Sequence, residues 1–308
     1  MNLTIYRDYP DGLVALGNLV RENGETTFCY NQEYLARTDA AAVSLSLPLR
    51  EKPFSEEELL PYFKGLLPEG EALENLCRSM GILNGDYFTM LGSCGLDCLG
   101  DIVINPYAYQ TERSYEPITV QDLTAMAGKP RSIDVSIELA RLSLAGTQNK
   151  CGLFHDPKAP LGDGWYQPVG GAPSNYIIKF AREDLHDLMI VEHLSLTCAA
   201  ACGVPSAKTA LLNPSRPIIC VERYDRLGSA SEVINGQVAP LRQHQEDITQ
   251  AFGIMPEAKY RQLEPNTVTV LADFFRNSSA NPAQDIANLT RLLLFNYLIG
   301  NCDNHLKN

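Results

Sequence analysis

The chain contains no stretch of 18 or more apolar residues, so its sequence offers no conventional membrane-spanning helix. Positive charge is scarce: 25 Lys and Arg stand against 37 Asp and Glu, a formal charge of −12. That balance argues against a direct grip on a nucleic-acid backbone, which needs clustered cations, and leaves contact with DNA to a basic partner. Repeats and low-complexity segments are absent. The opening, "MNLTIYRDYPDG", lacks a charged region followed by an apolar one and reads as a first strand, not a leader. The nine cysteines are odd in number and scattered. "CGLDC" (Cys94, Cys98) and "CAAAC" (Cys198, Cys202) lack the neighbouring His that would complete a four-ligand zinc set. The pattern reads as reduced, buried thiols in a cytoplasmic protein. What is present is ordinary for a globular chain: 308 residues, 45% hydrophobic and 20% charged, about two domains' worth of core.

Residues 1–105 open with strand-like stretches, and "AAVSLSLPLR" (41–50) alternates Val43, Leu45, Leu47 and Leu49 with small polar residues. In "FSEEELLPYF", Ser55 caps a helix, Glu58 closes a capping box, and Phe54 can staple onto Leu59. Pro61 is expected to kink or shorten that helix. A further helix is predicted over 69–80, ending at Gly81, and "CLGDIVINP" reads as a strand stopped by Pro106. The polar, Pro- and Gly-punctuated stretch 107–132 holds the domain boundary. Beyond it come strand-like "LARLSLAGTQNKCGLFH" and "YIIKF", a helix over 184–202 stopped by Gly203, and two strands joined across Asn213–Pro217. From residue 243 the pattern is helical. In "NPAQDIANLTRLLLFNYLIG", Asn281 caps, Pro282 takes the first helical position, Gln284 completes the box and Gly300 terminates. This helix is apolar on most faces and is expected in the core of its lobe. Strands first and helices afterwards suggest an α+β protein.

Four pieces carry chemistry. In "IGNCDNHLKN" the spacing of Asp303 and Asn308 is that of a protein-kinase catalytic loop, where the aspartate accepts the substrate hydroxyl's proton and the asparagine helps hold magnesium. Taken alone, the same spacing also occurs in any solvated loop. "SLAGTQNK" is not a Walker loop, yet its small-residue turn can aim N–H groups at phosphates; an ordinary hairpin fits it as well. Lys179, centred in "YIIKF", needs an anion because burying its charge alone is costly, and Glu192 on the next helix is the candidate partner. A strand lysine paired with a helix glutamate positions ATP phosphates in kinases, although both could also reach solvent. "VERYDR" could offer backbone groups to adenine or simply carry paired surface charges.

Together these pieces resemble the HipA family of serine/threonine kinase toxins. "SLSLPLR", "LLPEG" and "LDCLGDIVI" look like its amino-terminal subdomain; "SLAGTQNK", "YIIKF", "VEHLSLTCAA", "VERYDR", "RQHQED" and "IGNCDNHLKN" look like its kinase core. The resemblance implies a two-lobed, protein-kinase-like α+β fold. It divides the chain into a subdomain at 1–105, a linker at 106–125, a nucleotide-binding region at 126–226 and the start of a helical lobe at 227–308. It also implies ATP and Mg2+ as cofactors. Ala145, Gly146, Thr147, Gln148, Asn149 and Lys150 would form the phosphate loop, and Lys179 would contact phosphates. Glu222, Arg223 and Tyr224 would form the adenine hinge. Asp303 would be the base with His305 beside it, Asn308 a metal ligand, and Ser143 an inhibitory autophosphorylation site. The implied partners are a HipB-like helix-turn-helix antitoxin, through which DNA would be reached, and a protein substrate of the tRNA-synthetase type. Family members continue past the position matching Asn308 with a second metal-binding aspartate and more helices. The resemblance therefore also admits a truncated product, one piece of a split kinase, or an inactive antitoxin-binding scaffold. A small-molecule kinase of related architecture is a further reading.

Overall fold

A computed structural model describes residues 1–105, 112–127, 150–180, 187–213, 217–228 and 232–307. The first unit is built on β1 (Asn2–Tyr9), β2 (Gly12–Glu22), β3 (Glu25–Tyr30) and, after an excursion of helices, β4 (Ile102–Asn105). These pair antiparallel in the order β3-β2-β1-β4, with a register shift between Ile5 and Tyr6. The helices between β3 and β4 are α1 (Gln32–Leu35), α2 (Glu56–Gly65), α3 (Gly70–Met80) and α4 (Tyr87–Cys94). One continuous core joins sheet to helices, with Ile5, Leu16, Phe28, Phe54, Leu59 and Phe63 sealed from solvent. The capping box forms at Ser55 and Glu58, and Gly81 ends α3 in the left-handed region at φ 65°.

Two local expectations fail here. Residues 41–50 do not form a strand; they hold only an isolated Ser44–Leu47 bridge, because their polar side chains turn to meet the second unit. Pro61 does not shorten α2, which runs through it to Gly65. The carbonyl deprived of a partner belongs to exposed Glu57, where water can serve it.

The second unit carries a six-stranded antiparallel sheet in the order β5-β7-β6-β8-β10-β9. Its strands are β5 (Ser114–Ile118), β6 (Lys150–His155), β7 (Trp165–Val169), β8 (Tyr176–Phe180), β9 (Thr209–Leu212) and β10 (Ile218–Glu222). β5 and most of the following α5 (Val120–Ala127) fall within the expected linker at 106–125, yet β5 pairs with β7 and Leu123 is fully buried under the sheet. The described part of that stretch therefore belongs to the second unit. One sheet face, with Cys151, Ile178, Phe180, Ile218 and Cys220, packs on Leu123 and Trp165. The other presents Ile177, Ile219 and Val221 to Met189 of α6 (Asp187–Ala201). Beyond come α7 (Ile248–Ala251), α8 (Thr267–Ser278) and α9 (Pro282–Leu298).

Helix α9 departs from its expected place. Of its residues only Phe295 and Asn296 are buried, and Leu294, Tyr297 and Leu298 are exposed, Tyr297 at 83%. Asn281 makes no side-chain cap, and Gln284 bonds Asn288 instead of closing a box. Ser279, held to Asp285, receives the Asn281 N–H in its place.

The two units are locked by buried charge. Asp97, after α4, accepts from Arg226 (2.9 Å), Arg242 (3.3 Å), Arg223 (3.4 Å) and Ser174 (2.6 Å). Asp225 answers with the Gly100 N–H, Arg223 and Arg226. Burial disfavours both carboxylates, but the arginines outweigh it and hold both below the usual range. Gly152 makes the approach possible, since a Cβ there would stand 2.7 Å from Ser174 Oγ. A second seam joins 44–46 to "RQHQED" and the turn of helix after it: Ser44 Oγ and the Leu45 N–H donate to Glu246, and Ser46 Oγ to the Gln250 carbonyl.

Candidate active site

Strands β6 and β8 pair Lys150 directly with Lys179, so both side chains leave the same sheet face. That is the face covered by α6, and Lys179 Nζ lies 2.5 Å from Glu192 Oε1 of that helix. The ladder thus sets two lysines side by side, with Glu192 against Lys179. Burial, with the neighbouring Lys179 ammonium next in weight, pushes the Lys150 amine down to about 7. Glu192 and Glu69 pull it the other way, and Lys307 adds to the depression. Lys150 is therefore within electrostatic reach of Lys307, which lies four residues past Asp303. Strands β6 and β8 and the loop after α9 thus come near one another.

That loop is held by residues far away in sequence. Lys307 Nζ meets Glu69 Oε1 (3.1 Å), Asp247 Oδ2 (3.3 Å) and the Gly65 carbonyl (3.3 Å). Lys259 binds the other oxygen of Glu69 at 3.1 Å. Burial works against the Glu69 carboxylate, but Lys307 and Lys259 outweigh it and keep it below its usual range. Backbone bonds Leu306 N–H to Lys259 O and Ile248 N–H to Leu306 O complete the brace. Asp303 itself is 74% exposed on its side chain; its Oδ1 accepts from Tyr260 OH (2.5 Å), and its N–H donates to Asn301 Oδ1. The ring of His305 stands edge-on to Tyr260 at 5.0 Å. Desolvation, then Lys259, lowers its pKa, and its Nδ1 accepts the Lys307 N–H. The neutral tautomer with the proton on Nε2 follows, and Nε2 faces Asp303 Oδ1 at 3.8 Å.

The expected hinge divides. Arg223 is 3% exposed, and its guanidinium is committed to Asp225, Asp97, Ser174 and the Cys98 carbonyl. It is an inter-unit clamp, so its side chain does not face a nucleotide. The backbone N–H groups of Glu222 and Arg223 bond Lys208 and Asn175 carbonyls, Glu222 pairs with Lys208, and Tyr224 is exposed. Ser143, Ala145, Gly146, Thr147, Gln148, Asn149 and Asn308 lie outside the described residues. Among the described residues no group of three or more His, Cys, Asp or Glu could hold a metal ion. Cys94 and Cys98 are buried and donate to the Met90 and Gly95 carbonyls, whereas Cys198, Cys202 and Cys302 are exposed, so the expectation of buried thiols fails for those three. Glu69, Lys259 and Lys307 went unnoticed in the sequence because the Lys259–Glu69 bond spans 190 residues.

Comparison with known proteins fits this geometry. Residues 142–308 match the model of the HipA-like C-terminal domain, and residues 12–105 that of the HipA N-terminal domain. The chain belongs to the HipA family. It is 31% identical, over all of its length and 73% of the relative's, to a Sinorhizobium fredii protein named "Putative kinase Y4mE". It is 28% identical over 96% of its length to the serine/threonine-protein kinase toxin HipA of Shewanella oneidensis, covering 69% of that protein. The solved complex of Shewanella oneidensis HipA with HipB and its operator DNA superimposes with a TM-score of 0.78 at 25% identity, over 99% of this chain and 71% of that one. The mixed α+β fold is thus that of HipA, and no described helix is long and apolar enough to cross a membrane.

Proposed function

We propose that this HipA-family chain binds ATP on the α6-covered sheet face and transfers its terminal phosphoryl group to a serine or threonine of a protein. The observation that carries the reading is the Lys150–Lys179 pair over Glu192, facing a loop clamped to carry Asp303. Two neighbouring amines fit a polyphosphate, whose charge they would share. When bound, ATP supplies the phosphoryl group, and Mg2+ neutralises the charge that develops on it. Lys179, oriented by Glu192, holds phosphate oxygens. Lys150 and the turn at 145–149 close on them from the neighbouring strand. Asp303 orients the acceptor hydroxyl and takes its proton, with neutral His305 beside it and Asn308 as the metal ligand. Adenine meets the backbone of Glu222 to Tyr224, not the Arg223 guanidinium.

Regulation follows the same chemistry. Phosphorylation of Ser143 puts nearly two negative charges where ATP phosphates belong, and so switches the kinase off. A helix-turn-helix antitoxin of the HipB type is the partner, and an acidic chain of net charge −12 reaches DNA through it. A labelled-ATP assay tests the reading. The intact chain is expected to incorporate phosphate, Ser143→Ala to lose self-labelling while still labelling a protein acceptor, and Asp303→Asn to lose both. No incorporation, with antitoxin binding intact, would leave a scaffold in place of an enzyme.

A further inference from the structure

An aspartate has a broad terminal torsion, so a carboxylate as exposed as that of Asp303 turns unless a neighbour holds it. Tyr260 is such a neighbour. Its phenol donates to Asp303 Oδ1 at 2.5 Å, and that bond raises the phenol above its ordinary pKa, so the proton stays on the tyrosine. The ring is itself held: it stands edge-on to His305 at 5.0 Å, and Lys259 Nζ lies 5.6 Å from its centroid. Lys259 in turn bonds Glu69 at 3.1 Å, and its carbonyl accepts the Leu306 N–H at 3.0 Å. The Arg261 N–H closes on the Ala258 carbonyl at 2.8 Å. The turn that carries Tyr260 and the loop that carries Asp303 are therefore tied at backbone and side chain alike, although 43 residues separate the two.

We infer that Tyr260 is a positioning residue for phosphoryl transfer: it sets the Asp303 carboxylate in the orientation in which an acceptor hydroxyl can donate to it. A carboxylate accepts up to about four hydrogen bonds, so the phenol and the acceptor can share it. Orientation of this kind enters the rate because the attacking oxygen must be aligned before its proton leaves. In this role Tyr260 needs to touch neither nucleotide nor acceptor; it acts through Asp303. The inference rests on the kinase reading above, in which Asp303 is the base.

Tyr260→Phe removes one oxygen and keeps the ring, so the contacts to His305 and Lys259 survive. In the intact chain, self-labelling from labelled ATP is expected to slow roughly tenfold at saturating ATP, with the half-saturating ATP concentration and the melting temperature unchanged. A role confined to the fold would lower the melting temperature instead. A second readout needs no turnover. Fluorotyrosine placed at position 260 and followed by fluorine NMR is expected to titrate at lower pH once Asp303→Asn removes the carboxylate; the other titratable groups by the ring are Lys259, Glu69 and His305. Self-labelling by Tyr260→Phe at the wild-type rate overturns the inference and leaves the kinase reading standing, as does a loss that a raised half-saturating ATP concentration accounts for entirely. A fluorotyrosine titration that Asp303→Asn does not move overturns it as well. No self-labelling by the unaltered chain removes the kinase reading and this inference with it, and a moved titration then records a contact without a catalytic role.

Discussion

The four-stranded unit and the six-stranded unit solve burial in opposite ways. The first covers its sheet with α2, α3 and α4 and closes one continuous aromatic-rich core, in which Phe28 stacks with Phe54 and meets Phe63 edge-on. The second, among its described residues, divides its apolar contacts into smaller clusters and devotes part of one sheet face to Lys150 and Lys179, with Glu192 of α6 against Lys179. Its helices α6 and α9 meet through Ala199 and Phe295 while leaving Val191, Leu194, Leu294 and Leu298 exposed. The contrast shows a division of labour. The first unit lends Asp97, Asp101 and Glu69 to brace a second unit that carries lysines on one sheet face.

The comparison can be broken most sharply at Asp97. Asp97→Ala leaves three buried arginines with fewer counter-charges and should destabilise by about 3–5 kcal/mol. Urea unfolding followed at Trp165 and by circular dichroism should separate into two transitions; a single unshifted transition would contradict the clamp. Next in size is a matched pair of core truncations. Leu59→Ala, in the sealed core, should cost about 2–5 kcal/mol, and Leu271→Ala in α8 less, because its surroundings are looser. Equal losses in denaturant titrations would remove the contrast. Glu192→Gln should then lower kcat/KM for ATP by roughly tenfold to a hundredfold, about 1.4–2.7 kcal/mol, with little change in melting temperature. An unchanged rate would detach the pair from catalysis.

The smallest effect is a pH dependence at the inter-unit seam. Burial disfavours the charged form of His244, but a hydrogen bond to Asp101 (3.3 Å) and the nearby Glu246 carboxylate (3.9 Å) outweigh it and raise its pKa to about 9. A histidine raised on folding adds stability that is complete below about pH 6.5 and is lost as pH climbs through 9. The melting-temperature gap between wild type and His244→Asn should therefore be widest near pH 6 and close by pH 9. A gap that does not vary with pH would show that the imidazolium plays no part there.

Local signals made much of the fold legible. The Ser55–Glu58 box, the Gly81 stop and the β9–β10 hairpin lie within a few residues of one another, and there local sterics and capping decide the outcome. The same reasoning misplaced 41–50 and α9 because alternation and apolar content show that a face wants burial without showing what buries it. Lys179 and Glu192 were readable as a pair, being one strand and one helix apart. Arg223 was not readable as a clamp, since its counter-charge Asp97 sits in the other unit.

Composition and motif order, from the sequence alone, determined that this is an acidic, two-unit α+β chain with the marks of a HipA-type kinase. Which charges are buried, which of them are paired across the two units and what holds the Asp303 loop were decided only by tertiary structure. The reason is physical: a charge's free energy depends on its distance to other charges and to water, and those distances exist only once the chain has folded.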